Sequence, residues 1–166
     1  MRPSPLLTSL VVGIAVLPQL LGCSSSRRGI QIETKGWEND SAIRIDVLAA
    51  PNDTEVDSAK GWFASKERQD DINAGKVWHQ LITGNQKITF NSDADQWKKW
   101  GDPGALRIFV VAEPPGGSSL DDNQRLLRFL LDDEWPENPI RVEFTKERGL
   151  RLLTASKRRP NAQSRP

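Results

Sequence analysis

The sequence predicts an all-β protein: a two-layer β-sandwich of about eight strands, with one helix between strands two and three. Three observations predict it. Apolar and charged residues alternate one for one in several short segments divided by turn-forming residues, the pattern of strands with one face on a core and one in water. A seven-residue run, Leu106 to Ala112, is almost continuously apolar and rich in β-formers, as a central strand would be. One segment alone breaks the alternation: Val56, Ala59 and Phe63 are spaced three and four apart, the period of a helix.

Taken in order, Ile30 and Ile32 flank Gln31 and open the first strand. Gly36 to Asp40 forms a loop, and Ile43, Ile45 and Val47 then alternate with Arg44 and Asp46 in the second strand. The helix is expected from Thr54 to about Asp70. Thr54 with Asp57 is a loose capping-box analogue, Pro51 fits just ahead of it, and Gly61 is its weak point. Val77 to Ile82 and Lys87 to Phe90 are short strands, and Thr83-Gly84-Asn85-Gln86 between them is a hairpin signal, since Gly and Asn tolerate positive φ. Leu106 to Ala112 and Arg125 to Leu131 follow. Ile140, Val142 and Phe144 alternate with Arg141 and Glu143, and Lys146 to Gly149 is expected as a four-residue hairpin loop into Leu150 to Leu152. Phe109, Val110, Val142 and Phe144 are the expected interior residues.

Ahead of this domain the composition changes. A short apolar run from Leu6 to Leu17 leads to Leu20-Leu21-Gly22-Cys23 and then Ser24-Ser25-Ser26. This is a secretory signal pattern in which the cut falls before a cysteine, and it resembles the lipobox of bacterial lipoproteins. Leu6 to Leu21 as a whole is too short and too interrupted, by Thr8, Ser9, Pro18 and Gln19, for a membrane span of about 20 residues. The expected organisation is a signal peptide at 1–22, a lipidated tether at 23–29 beginning with Cys23, the sandwich at 30–154, and a basic disordered tail at 155–166. Cys23 is the one cysteine, so lipidation leaves no disulfide, and the apolar core must hold the domain. The chain has 23 basic and 22 acidic residues, and Arg2 is the sole charge before Cys23; from Cys23 onward the signs balance. Nucleic acid is therefore not an expected partner, because phosphate binding needs a basic excess.

No residue pattern marks an enzyme. His79 is the only histidine and stands on a strand without a nucleophile elbow, so it reads as a half-buried strand residue. Asn91, Asp93, Asp95 and Asp102 resemble a calcium loop, but Gln96 stands where glycine is needed and Lys98 and Lys99 repel a cation. Asp132, Asp133 and Glu134 beside Trp135 are adjacent carboxylates on one turn, poorly placed to face each other across a sugar. Trp97 and Trp100 read either as an aromatic platform or as a short helical turn on the sandwich edge. Trp37, in Gly36-Trp37-Glu38-Asn39-Asp40, is either a binding anchor or a cover over the open end of the sandwich. No cofactor, metal or small-molecule substrate is expected.

Ser41 to Leu48, Trp62-Phe63-Ala64, Leu81 to Gln86, Leu106 to Ala112, and Ile140 through Leu152 resemble, in order and spacing, the outer-membrane lipoprotein family of type VI secretion, often called TssJ. Val47-Leu48-Ala49 departs from the family's usual Tyr-Gln-Leu, and the first loop is short. The resemblance implies a transthyretin-like sandwich, a palmitoylated Cys23, and a place on the periplasmic face of the outer membrane. It also implies a non-enzymatic docking role toward the periplasmic part of an inner-membrane secretion protein. The contact expected from it is the first loop: Lys35, Gly36, Trp37, Glu38, Asn39 and Asp40. The alternatives are a carbohydrate- or peptide-binding envelope lipoprotein using its tryptophans, and a small hydrolase.

Overall fold

The structure, a computed structural model, describes residues 29–50, 56–100, 106–131 and 138–154. The expected signal peptide, Cys23, most of the tether and the tail lie outside them. The described elements are β1 (Ile30–Lys35), β2 (Ala42–Ala50), α1 (Ala59–Ala64), α2 (Lys66–Asn73), β3 (Trp78–Thr83), β4 (Lys87–Phe90), α3 (Gln96–Trp100), β5 (Leu106–Glu113), β6 (Leu126–Leu131), β7 (Ile140–Thr145) and β8 (Gly149–Leu152). Two four-stranded sheets, ordered β4-β1-β7-β8 and β3-β2-β5-β6, make the all-β sandwich that the alternation predicts. β1 runs parallel to β7, and the other pairings are antiparallel.

The core between the sheets follows the period of two. Ile30 and Ile32 of β1 meet Ile43, Ile45 and Val47 of β2, Ile108 and Val110 of β5, and Ile140, Val142 and Phe144 of β7. At one end of the sandwich α3 places Trp97 and Trp100 on Phe90, each with ring centroids 5.3 Å away. This is the short helical turn of the sequence reading: Trp97 is buried and its Nε1 donates to Asn91 O at 3.1 Å.

Four expectations are corrected. The turn at Thr83–Gln86 is not a hairpin, because β3 pairs with β2 and β4 with β1, in different sheets. The turn instead carries the chain across the gap of about 10 Å between the sheets. Thr34 holds it there: its Oγ1 donates to Gly84 O and accepts from Gln86 N, both at 2.8 Å. At the last hairpin, Gly149 already pairs with Thr145, so the connecting loop is Lys146 to Arg148.

The helix is two helices, and it breaks at Ser65 and not at Gly61. Ser58 caps α1, its Oγ accepting Gly61 N at 2.9 Å; Asp122, from the β5–β6 connection, accepts the N–H groups of Ala59 and Lys60 at 3.0 and 2.7 Å. Ser65 is extended (φ −81°, ψ 148°) and serves both helices: its Oγ donates to Trp62 O at 2.8 Å and accepts Arg68 N at 3.1 Å. Thr54, the expected cap, lies outside the described residues.

The outer face of β2 is not all in water either. α1 and α2 cover part of it, and a second core forms from Leu48, Ala50, Val56, Ala59, Trp62, Val77, Phe109 and Val111. This double cover explains the continuous apolar run of β5, whose residues Ile108 to Ala112 are all inaccessible. It also buries Asp46. Trp62 Nε1 donates to Asp46 at 2.8 Å, Arg68 Nε and Nη2 at 2.7 and 3.2 Å, and His79 Nδ1 lies 2.6 Å away. A carboxylate only accepts, so His79 Nδ1 carries the proton.

Two stability outcomes follow. Phe109→Ala should cost about 3–5 kcal/mol in chemical denaturation, through lost burial and the cavity left. Asp46→Ala should cost a similar ~3–5 kcal/mol, because it strands the Arg68 charge under the helices. A denaturation midpoint unchanged from the parent in either variant would contradict the double-sided burial of this sheet.

Candidate functional site

Strand directions put four connections at one end of the sandwich. β1 ends and β2 begins there, β3 passes to β4, β5 passes to β6, and β7 turns into β8. Gly29, the first described residue, and Thr154, the last, lie at the opposite end, where Gly29 O accepts Ile140 N at 2.8 Å and Thr154 Oγ1 accepts Arg141 N at 2.8 Å. Six strand residues separate the two ends, a span of roughly 20 Å.

The first loop, Lys35 to Asp40, is one of these four connections. Lys35, Gly36, Glu38, Asn39 and Asp40 are exposed, while Trp37 is only 4% exposed. Its indole stacks on Phe144 with centroids 5.1 Å apart, and its Nε1 donates to Phe144 O at 3.3 Å. Of the two readings of Trp37, the geometry is that of the cover: the ring closes the sandwich and holds the loop from beneath. Trp37 N donates to Asn85 Oδ1 at 3.0 Å, tying the loop to the β3–β4 turn. Gly84 N donates to Ser41 O at 3.1 Å. Gly84 has φ +61°, and a Cβ there would meet Asn39 Cα at 3.0 Å, so the two loops pack this closely only around glycine.

Charges complete the stitching. Glu38 pairs with Lys146 of the β7–β8 loop and accepts Ser41 Oγ at 3.0 Å. The Lys146 ammonium first, then the loop's own N–H and the Ser41 hydroxyl, hold the Glu38 carboxyl at about 2, below its ordinary value of 4.5. Glu143 is buried to 7% exposure between Lys35, at 3.0 Å, and Arg151. Arg151 and then Lys35 lower its pKa, and the same contact, with Glu33, raises that of Lys35. Sequence reasoning missed Thr34, Asn85, Glu143 and Lys146. Only Thr34 left a local sign, as a polar residue at the inward position that follows Ile30 and Ile32.

The other candidate residues do not assemble. His79 is spent on Asp46 and Arg68, with no serine or cysteine among its hydrogen-bond partners in the described residues. Asp93 and Asp95 are exposed, and Asp95 pairs with Lys98 at 2.8 Å, which lowers its pKa. Asp102, Asp132, Asp133, Glu134 and Trp135 lie outside the described residues. No group of three or more His, Cys, Asp or Glu among the described residues could hold a metal ion. No helix among them is long and apolar enough to cross a membrane.

The all-β fold is similar to those of two solved lipoproteins of type VI secretion. One is Lip of Serratia marcescens, a membrane-bound component of that system: 16% identity over 80% of this chain and 99% of that one, with a TM-score of 0.47. The other is TssJ1 of Pseudomonas aeruginosa: 14% identity over 78% and 96%, with a TM-score of 0.38. No family model matches the sequence. No curated protein matches it.

Trp37→Ala should cost about 3–5 kcal/mol in thermal or chemical unfolding, as a core aromatic does. The Glu38 pair has a worked sign. A carboxyl whose pKa is depressed on folding stabilises above its unfolded pKa, and that contribution is lost as pH falls through the folded value. A carboxyl-carbon NMR titration should therefore place the Glu38 midpoint near 2, and Lys146→Met should return it toward 4.5. A midpoint near 4.5 in the parent protein would mean that the loops are not tied in solution.

Proposed function

We propose that this chain is a lipid-anchored, non-enzymatic docking subunit of an envelope-spanning secretion complex of the type VI kind. Cys23 carries the acyl chains on the periplasmic face of the outer membrane, and the four-loop end binds the periplasmic part of an inner-membrane protein. One observation carries the reading. The cross-tied loops lie at the end away from Gly29, so an anchor six residues upstream of Gly29 leaves them directed from the membrane into the periplasm. The lipobox and the family resemblance in segment order support it.

Pre-organisation is what the stitching supplies. A loop that is already rigid loses little conformational entropy when it binds, so more of its contact energy appears as affinity. Trp37 contributes from below, by fixing the positions of Glu38, Asn39 and Asp40. Several acyl chains at about 0.8 kcal/mol per buried CH₂ give stable retention where one would be marginal.

Two experiments test this. Cys23→Ser should release the folded domain from the membrane fraction or leave the precursor uncleaved; parent protein found soluble and unacylated would remove the anchor. Asn39→Arg combined with Asp40→Lys should leave stability within about 0.5 kcal/mol, as exposed substitutions do. The same pair should lower recovery of the inner-membrane partner in mild detergent about tenfold. Full recovery would remove the first loop from the contact.

A further inference from the structure

Sheet edges expose unpaired N–H and C=O groups, and folded proteins guard them with charge, proline, bulges or brevity. Among the described residues the four edges are β4 and β8 in one sheet and β3 and β6 in the other. β4 and β8 have four residues each and carry Lys87 and Arg151. β6 carries Arg128, whose guanidinium donates to Val56 O at 2.6 Å. β3 differs. Trp78-His79-Gln80-Leu81-Ile82-Thr83 holds no Lys, Arg, Asp, Glu or Pro, and it pairs with β2 without a bulge from Ala42–Thr83 to Val47–Trp78.

The Gly84 N–H bond to Ser41 O sets which groups face outward. Antiparallel pairs alternate between bonded and non-bonded. Counting from Gly84, residues Trp78, Gln80 and Ile82 turn their main-chain groups to β2, and His79, Leu81 and Thr83 turn theirs to the open side. Thr83 O fits this polarity, since it accepts Gln86 Nε2 at 2.9 Å. Leu81 is 64% exposed, the most exposed large apolar side chain among the described residues. It borders a shallow concavity with Arg44, Glu113, Pro114, Pro115 and Arg125, in which Arg44 and Glu113 form an ion pair and the Arg125 guanidinium donates to Leu120 O. Ala42, on the same concavity, lies two residues past the first loop.

We propose that the open edge of β3, from His79 to Thr83, accepts an extended, uncharged segment of the docking partner as a fifth strand, with an apolar side chain laid against Leu81. This rests on the docking reading and specifies how the partner is held. Main-chain bonds to β3 supply affinity, and the concavity beside Leu81 selects the side chain. The absence of charge on this edge fits an uncharged strand, because a charged one would be desolvated there without a partner.

The test is photocrosslinking in cells on the full-length chain, with p-benzoylphenylalanine in place of Leu81, of Asp40 at the loop tip, or of Lys60 on the exposed side of α1. The Leu81 probe should capture a segment of the same protein that the Asp40 probe captures, and the Lys60 probe should not. Leu81→Lys should leave the melting temperature unchanged and lower partner recovery about tenfold. Capture at Asp40 without capture at Leu81 overturns the edge proposal and leaves docking standing. Capture of a second copy of this chain at Leu81, or unchanged recovery with Leu81→Lys, overturns it as well. No capture at either site overturns both readings.

Discussion

One buried carboxylate sets much of this structure. Asp46 sits in the middle of β2 with no exposure, where an unpaired charge would cost several kcal/mol. It is made tolerable by Trp62 from α1, Arg68 from α2 and His79 from β3. In one straight helix, Trp62 and Arg68 would stand about 9 Å apart along the axis and on different faces. The extended residue Ser65 between the helices lets both reach the same carboxylate. The break is therefore part of the arrangement that buries Asp46, and the helical layer is fixed to the sheet by it.

That layer has a consequence at the far end. With α1 and α2 over part of the second sheet, Asp46, Leu48, Phe109 and Val111 are buried on its outer face, while Ala42 and Arg44, nearer the four connections, stay exposed. Asp122, which caps α1, belongs to one of those connections. Across the gap, Thr34, Trp37 and the Glu38–Lys146 pair tie the remaining loops to one another. Contacts more than 100 residues apart in the chain, Trp37 with Phe144 and Glu38 with Lys146, hold a loop whose own sequence is short and polar.

The same distinction explains what the sequence could and could not disclose. Strand existence is local, so the alternations at Ile43–Val47 and Ile140–Phe144 and the run at Leu106–Ala112 were legible, as was the three-residue spacing of Trp97 and Trp100. Pairing is not local: Gly84-Asn85 carries a hairpin's chemistry, but Thr34 and the separate partners of β3 and β4 send it across the sandwich. The helix break was hidden because Ser65 acts through Asp46, nineteen positions earlier. For Trp37, sequence left two readings open, since only Phe144 decides whether the indole lies inward.

The aromatic inventory bears on the choice between docking and ligand binding. Every described tryptophan is engaged inside the molecule or at its seams: Trp37 on Phe144, Trp62 on Asp46, and Trp78, Trp97 and Trp100 around Phe90. A sugar platform needs an open ring face, and these rings are occupied with one another and with the core. What the four-loop end and the β3 edge present instead is fixed main chain, paired charges and one exposed leucine. Under the docking proposal such a surface would meet the backbone and shape of another protein, and loops already tied to one another would lose little freedom when several are contacted at once.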